Sequence, residues 1–120
     1  GLAEELKKDG IAVNALWPRT TIATSAIRNV LGGERLMVMS RTPEIMADAA
    51  YLLFQQPAKR FSGRFLIDDT FLYEVGHVTD FDQYRVDKTK SLAPDFFVPA
   101  DSVPPPGVKL ARLSELASSS

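Results

Sequence analysis

The feature that most constrains the fold is a pair of short apolar runs, residues 11–17 and residues 64–68, separated by more than forty residues. The first run is apolar on both of its alternating faces except at Asn14, which is typical of a strand covered on both sides in a parallel sheet. A connection of this length favours parallel pairing with a right-handed crossover. The sequence therefore predicts an α/β fold in which the two strands are neighbours.

Residues 42–56, between these runs, predict an amphipathic helix. Thr42 is placed to cap it, Pro43 fits the first turn because a missing N–H costs nothing there, and Glu44 lies near the positive end of the helix dipole. The apolar stripe that follows at helical spacing is formed by Ile45, Ala49, Leu52 and Leu53.

Two shorter helices are expected before this one. Thr24 or Ser25 is placed to cap a helix that runs towards Leu31, where a glycine pair breaks it. Residues 34–39 favour a helix because their apolar side chains are mostly unbranched.

The chain is expected to divide into three stretches. Residues 1–76 form a folded portion whose start looks like the end of a longer helix, so the amino-terminal half of the same domain is an expected partner. Residues 77–102 form an extended arm that docks on the domain or on a neighbouring subunit, because Phe96 and Phe97 are more apolar than a solvated tail usually is. Residues 103–120, with a proline triplet and a serine-rich end, are expected to be linker or disordered.

Composition narrows the classes of partner. Fourteen basic and fifteen acidic residues leave a net charge of -1, so the chain offers no basic surface for nucleic acid. The absence of cysteine excludes disulfides and thiolate metal sites, and a single histidine makes a metal site unexpected. No apolar run approaches the roughly 20 residues of a membrane span. A soluble intracellular protein is the expectation.

Two groups of motifs together resemble a known family. Residues 11–18 resemble a strand that ends in Asn-x-x-x-Pro-Gly, and residues 43–53 resemble a Pro-Glu-x-Ile-Ala-x-Ala helix. Ser62 and Gly63 resemble a Thr-Gly pair, and Ile67 and Asp68 resemble the start of a final Val-Asp-Gly-Gly strand. In order and spacing these motifs resemble the carboxyl-terminal signature of short-chain dehydrogenases/reductases, over about residues 1–70.

The chain departs from that pattern at two sites and in the length of one loop. Arg19 replaces the glycine that follows the proline, and Asp69 with Thr70 replaces the closing glycine pair. The loop to Thr24 is one residue longer than in the pattern. With residues 14–18 and 91–97, these departures resemble the hydroxysteroid dehydrogenase-like protein 2 group, which extends the covered region to roughly residue 98. By resemblance alone, the compartment is the cytoplasm, a mitochondrion or a peroxisome.

The resemblance implies the carboxyl-terminal part of a Rossmann-type doubly wound parallel sheet with an extended proline-rich tail. It also implies a parent oxidoreductase that uses NAD or NADP on a small alcohol or carbonyl substrate and forms a homo-oligomer. Residues 42–56 and the strand after Ser62 and Gly63 are the expected subunit contacts.

The loop that follows the first strand is the implied cofactor site, because ligands of open α/β sheets lie beyond the carboxyl ends of the strands. By resemblance, backbone groups around Ile22 bond the nicotinamide carboxamide, and Thr24 faces the carboxamide or the pyrophosphate. The implied cofactor-binding residues are Pro18, Thr21, Ile22 and Thr24. The implied substrate lid is formed by Ala26, Ile27, Val30 and Leu31.

Each of these assignments has a structural alternative. Thr24 is equally suited to capping a helix, Thr20 and Thr21 to filling a loop, and the lid residues to an ordinary core. Arg19 either approaches an anionic ligand or is simply solvated.

Tyr84 and Lys88 have the spacing of the family's catalytic pair, but they follow the first strand in the sequence instead of preceding it, so no catalytic role is assigned to them. His77 is expected at the surface.

The sequence contains no glycine-rich dinucleotide-binding turn and no catalytic serine in the expected context. The chain is therefore expected to be an enzyme segment that is inactive by itself and that supplies a cofactor loop, a substrate lid and subunit contacts. The alternative is a non-catalytic binding or dimerisation module, because two strands and one long helix do not bury both faces of a sheet without a partner.

Overall fold

A computed structural model describes residues 15–29, 32–57, 65–95, 98 and 101–111. Its elements in chain order are β1 (Ala15–Trp17), α1 (Ser25–Arg28), α2 (Gly33–Val38), α3 (Glu44–Phe54), β2 (Phe65–Ile67), α4 (Asp68–Glu74) and a 3-10 turn (Asp82–Tyr84).

The two strands pair in parallel, as the sequence predicted. Ala15 is opposite Phe65, Leu16 is opposite Leu66 and Trp17 is opposite Ile67. The remaining predicted strand residues, 11–14 and 64, lie outside the described residues. Because the strands run in the same direction, the loop that leaves β1 and the helix that leaves β2 begin at the same edge of the sheet.

Helix α3 forms within the predicted range, with Ile45 and Ala49 fully buried on its inner face. Leu52 and Leu53 also pack against the core. The predicted cap is wrong, however. The Thr42 hydroxyl is buried with no hydrogen-bond partner among the described residues, and it is the Thr42 carbonyl that accepts a hydrogen bond from the Ile45 N–H, at 3.3 Å.

The two short helices also form. The Thr24 hydroxyl accepts a hydrogen bond from the Ile27 N–H at 3.4 Å and so caps α1. Helix α1 ends at Arg28, before the predicted end at Leu31. The second helix begins at Gly33, in agreement with the helix that the unbranched side chains of residues 34–39 favoured. Gly33 must be small here, because a Cβ on it would lie 2.2 Å from the Arg28 carbonyl oxygen.

Helix α4 was not predicted. It begins directly after β2, with Asp68 and Asp69 in its first turn, where carboxylates stabilise the positive end of the helix dipole. Phe71 and Leu72 are buried in the main core. Among the described residues, the buried members of this main core are Ile45, Ala49, Leu66, Phe71, Leu72, Phe81 and Tyr84.

The segment expected to be an arm lies against the segment that leads into α3. The Thr42 N–H donates to the Tyr84 carbonyl at 2.6 Å, and the Val86 N–H donates to the Ser40 carbonyl at 3.0 Å. Further along, the Ala93 N–H donates to the Met39 carbonyl at 2.8 Å. The expected docking residues Phe96 and Phe97 lie outside the described part of the chain.

Residues 103–111, expected to be linker or disordered, also contact the fold. Pro105 and Ala111 are buried, and the Ala111 N–H donates to the Leu92 carbonyl at 2.7 Å. Proline rigidity and two buried small side chains hold this stretch in place without regular secondary structure.

Candidate functional site

The candidate site lies at the shared carboxyl edge of the two strands. Pro18 ends β1 and begins the loop of residues 18–24, while Asp68 and Asp69 follow β2. The backbone N–H of Arg19 donates to Asp68 Oδ1 at 3.1 Å, which joins the two strand ends directly.

Four charged side chains form a cluster beneath this loop, and each is at most 1% exposed: Arg19, Arg41, Asp68 and Asp69. Arg19 Nε lies 2.8 Å from Asp69 Oδ1, and Arg41 Nη1 lies 3.0 Å from Asp69 Oδ2. Both oxygens of Asp69 therefore hold a guanidinium group. Charged groups removed from water require such partners, so the four side chains depend on one another.

The environment of the Arg19 side chain differs from both environments that the sequence suggested. It is neither solvated nor directed at a ligand; it donates to Thr70 Oγ1 at 2.9 Å and to the Ser102 hydroxyl and carbonyl oxygens at 3.1 and 3.3 Å. The two departures from the dehydrogenase pattern, Arg19 and the pair Asp69 and Thr70, are thus in direct contact. Complementary charges placed after two neighbouring strands were the signal that could have predicted this contact.

Asp68 is the strongly perturbed acid of the cluster. Burial, with the nearby charge of Asp69, raises the pKa of Asp68 to about 6, although its hydrogen bonds from the Arg19 and Asp69 N–H groups oppose the shift. Its second oxygen, Oδ2, is buried and has no hydrogen-bond partner in the part of the chain that the structure describes.

The backbone of the loop is held on both sides of Ile22. The Arg41 N–H donates to the Thr21 carbonyl at 3.1 Å, and the Ala23 N–H donates to the Arg41 carbonyl at 2.9 Å. This parallel bridge turns the N–H and C=O of Ile22 away from Arg41, and neither has a hydrogen-bond partner among residues 15–29, 32–57, 65–95, 98 and 101–111. One donor and one acceptor side by side can bond an amide group.

The other predicted cofactor residues differ in what their side chains do. The Thr21 hydroxyl lies 2.6 Å from the Ser40 hydroxyl, and the Thr21 N–H donates to the Ala93 carbonyl, so Thr21 is engaged within the fold. Thr24 is exposed and caps α1, and Pro18 is half-buried at the end of β1. Thr20 is fully buried.

The predicted lid is described only in part. Ala26 is exposed and Ile27 is half-buried on α1, next to the loop, whereas Val30 and Leu31 lie outside the described residues.

No role in the loop site is assigned to Tyr84, His77 or Lys88. Tyr84 is buried in the main core, where its hydroxyl donates to Asp48 Oδ2 at 2.7 Å. Burial and the Asp48 carboxylate hold the pKa of Tyr84 well above its usual value. His77 and Lys88 are exposed.

Two further features, a group of metal ligands and a membrane-spanning helix, are absent from the described ranges. No group of three or more potential metal ligands lies together there. None of the helices in those ranges combines the length and apolarity needed to cross a membrane.

Comparison with known proteins identifies the fold. No protein-family model matches the chain. The chain is 49% identical over 98 residues to hydroxysteroid dehydrogenase-like protein 2 of Danio rerio and 48% identical over 98 residues to that of Homo sapiens; each match covers 82% of the chain. A solved short-chain dehydrogenase of Mycobacterium thermoresistibile matches with a TM-score of 0.73 and 45% identity over 92% of the chain.

These matches cover different shares of the known proteins. The chain spans 23% and 22% of the lengths of the two hydroxysteroid dehydrogenase-like relatives, and 38% of the solved dehydrogenase. The family predicted from the sequence motifs is confirmed: the chain is a homologue, over most of its length, of hydroxysteroid dehydrogenase-like protein 2 and of short-chain dehydrogenases.

Proposed function

We propose that the chain is the nicotinamide-facing segment of an NAD(P)-dependent oxidoreductase acting on an alcohol or carbonyl substrate, and that it corresponds to the carboxyl-terminal part of the dehydrogenase domain. The observation that carries this proposal is the Ile22 backbone, whose N–H and C=O have no partner in the described parts of the chain. They lie in the loop at the carboxyl edge of a parallel strand pair, the edge where ligands of such sheets bind.

The cofactor, when bound, supplies the hydride that is exchanged with the substrate. The Ile22 N–H and C=O would hold the carboxamide group of the nicotinamide, the N–H as donor and the C=O as acceptor, and would so orient the ring towards the substrate. Pro18 and the buried Arg19 hold the loop rigid at the end of β1, and Thr24 shapes its far end by capping α1. Ala26 and Ile27 of α1, which lie next to the loop, would contribute to the apolar lid that excludes water from the reacting atoms.

The chain alone is proposed to be inactive and to bind NAD(P) weakly. The loop offers contacts to the carboxamide side of a dinucleotide, and tight binding of the remainder requires a glycine-rich turn that the sequence lacks. The proton transfer of the reaction is likewise expected to come from groups outside these 120 residues.

A chimera tests this function. The matched 98 residues replace the corresponding segment of the Danio rerio relative, and NADH and NADPH binding is measured by calorimetry on the chimera, the parent and the 120-residue chain. We expect the chimera to retain cofactor affinity within about threefold of the parent and the chain alone to give no saturable binding. A folded chimera that has lost the cofactor affinity of its parent contradicts the proposal.

A cofactor analogue tests the Ile22 contact separately. In 3-acetylpyridine adenine dinucleotide the acetyl group lacks the amide N–H, so the Ile22 carbonyl has nothing to accept. Loss of one hydrogen bond should weaken binding to the chimera by about threefold to tenfold relative to NAD. Equal affinity for both dinucleotides would exclude this contact.

A second candidate function, self-association, is favoured by one observation. Phe54 is 84% exposed and Tyr51 is 70% exposed, three residues apart on the same side of α3. We infer that this surface contacts a second copy of the chain, within the oxidoreductase or as a dimerisation module. Sedimentation of the chain should show dimers that Phe54→Ser dissociates. Val103→Ser, which removes another exposed apolar side chain elsewhere, should leave them intact. A monomeric wild-type chain would rule this candidate out.

A further inference from the structure

A cavity of about 170 Å³ lies between the segment before α3, the 3-10 turn and the turn around Gly107. None of its lining residues belongs to the loop of residues 18–24. The volume is much larger than the roughly 10–15 Å³ that one water molecule needs. The cavity is therefore separate from the proposed cofactor loop and large enough for a small ligand.

Arg41 lines this cavity with an incomplete set of hydrogen bonds. Its side chain is fully buried, and Nη1 donates to Asp69 Oδ2. Its Nε and Nη2 atoms have no hydrogen-bond partner in the described parts of the chain. Asp69 does not accept hydrogen bonds from these two atoms, because its two oxygens are already paired with Arg19 Nε and Arg41 Nη1.

The two unpartnered atoms form one edge of the guanidinium group. The Phe81 ring covers a face of this group, with 5.6 Å between Arg41 Cζ and the ring centroid, so new acceptors must approach in the guanidinium plane. Nε–H and Nη2–H point in the same direction along that plane and form the fork that bonds the two oxygens of a carboxylate or phosphate. Leaving these buried donors without acceptors is unfavourable, so the site favours a ligand that fills the fork.

Two further basic side chains line the same cavity. Arg85 donates from Nη1 to Asp82 Oδ1 at 3.1 Å, while its buried Nε has no partner among the described residues. Lys109 adds an exposed ammonium group from the turn after Gly107. The acidic lining residues are Asp80 and Asp82, and Asp82 is already paired with Arg85. Among the described residues, the lining thus holds three basic and two acidic side chains, and Arg41 is also paired with Asp69.

We propose that this cavity binds a small oxyanion, a carboxylate or a phosphate group, with the Nε and Nη2 edge of Arg41 as the bidentate donor and Arg85 and Lys109 as supporting cations. This assigns a ligand site on the side of the chain formed by the arm, and it does not depend on the proposed oxidoreductase function.

NMR of the 120-residue chain tests the proposal through the Nε–H signals of its arginines. Inorganic phosphate and acetate are titrated at constant ionic strength, with sodium chloride as the reference. We expect a saturable shift of the Arg41 Nε–H signal with at least one of the two anions and none with chloride. The anion with the higher affinity identifies the ligand class as phosphate or carboxylate. If both anions give no saturable shift, or only the response to chloride, the proposal is overturned.

Substitutions locate the binding. Arg85→Gln should weaken the anion affinity by about tenfold, because it removes a charge-assisted hydrogen bond, and Lys109→Gln by about threefold. The matched controls are Arg28→Gln, which removes an arginine paired with Glu34, and Lys88→Gln, which removes an exposed lysine. Both controls should leave the affinity unchanged. Equal affinities in all four variants would overturn the proposal.

Arg41→Lys keeps the charge and removes the fork, so it should abolish the saturable binding. If this variant does not fold, as judged by its near-ultraviolet circular dichroism, the Arg41 signal of the wild-type chain and the Arg85 and Lys109 variants decide the question.

Discussion

Asp69 is the single residue on which the site depends most, because two buried guanidinium groups bond to its two oxygens. Asp69→Asn should lower the free energy of unfolding by about 3–5 kcal/mol, since it leaves Arg19 and Arg41 buried without a counter-charge. Urea denaturation at pH 7 measures this. The control is Glu34→Gln, which breaks an exposed pair with Arg28 and should cost less than about 1 kcal/mol. A similar small cost for Asp69→Asn would show that the cluster is accessible to water.

Asp68 should make the stability depend on pH in an unusual direction. Its pKa is about 6 in the folded chain and 3.8 for the unperturbed side chain, so between these values the folded state binds more protons than the unfolded state. The contribution of Asp68 is therefore fully present below pH 4 and is lost as the pH rises through 6. The loss is roughly 3 kcal/mol at most, since one pKa unit corresponds to about 1.4 kcal/mol.

The measurement is the difference in unfolding free energy between the wild type and Asp68→Asn at several pH values. The wild type should lose stability relative to the variant between pH 4 and pH 7, and the exposed Asp101→Asn should show no such trend against the wild type. A constant difference for Asp68→Asn across this range would mean that Asp68 titrates as an exposed carboxyl does.

Only those site residues that belong to a recognisable sequence motif were predictable. The resemblance to the family implied Pro18, Thr21, Ile22 and Thr24 as cofactor residues, and their loop lies at the predicted edge of the strand pair. The contact between Arg19 and Asp69 joins positions 50 residues apart, and no local pattern encodes such a pairing. Burial of an arginine also contradicts the usual preference of that residue for solvent, so composition and periodicity favour the wrong environment.

At the scale of elements, substitutions of Thr24 and Thr42 are predicted to change the stability in opposite directions. The Thr24 hydroxyl caps α1, so Thr24→Val should cost about 0.5–1 kcal/mol. The Thr42 hydroxyl is buried without a partner in the described parts of the chain, so Thr42→Val should be neutral or should stabilise the chain by up to about 1 kcal/mol. Thermal unfolding of the two variants measures both effects. A loss of about 1 kcal/mol for Thr42→Val would restore the cap that the sequence predicted for α3.

The elements that the sequence predicted have a local signal, either an apolar run, a helical stripe or a cap. Helix α3 has a complete apolar stripe, and β1 and β2 are short apolar runs on either side of it. Helix α4 has only seven residues, and its two buried apolar residues, Phe71 and Leu72, are too few to show a period. Its position depends on packing against α3, a tertiary contact that a propensity argument does not include.

At the scale of the whole molecule, segments without regular structure supply part of the core that packs around the strand pair. The arm supplies Phe81 and Tyr84 to the main core, and a second cluster joins Met39 to Ala93 and Ala111. Arg19 links this arrangement to the loop through its bonds to Asp69 and Ser102. These contacts indicate that the arm and the strand pair unfold together.

Hydrogen exchange tests this cooperativity. The amide protons of Thr42, Val86 and Ala93 bond between the arm and the segment before α3, so they should exchange with opening free energies within about 1 kcal/mol of the protected amides of β2. The Lys90 amide bonds only within an exposed turn, to the Asp87 carbonyl, and should exchange much faster, which makes it the internal reference. Destabilising the core with Ala49→Gly should speed exchange at Val86 and at β2 by the same factor if they share one unit. Fast exchange at Val86 and Ala93 beside slow exchange in β2 would instead mean that the arm detaches from the strand pair without global unfolding.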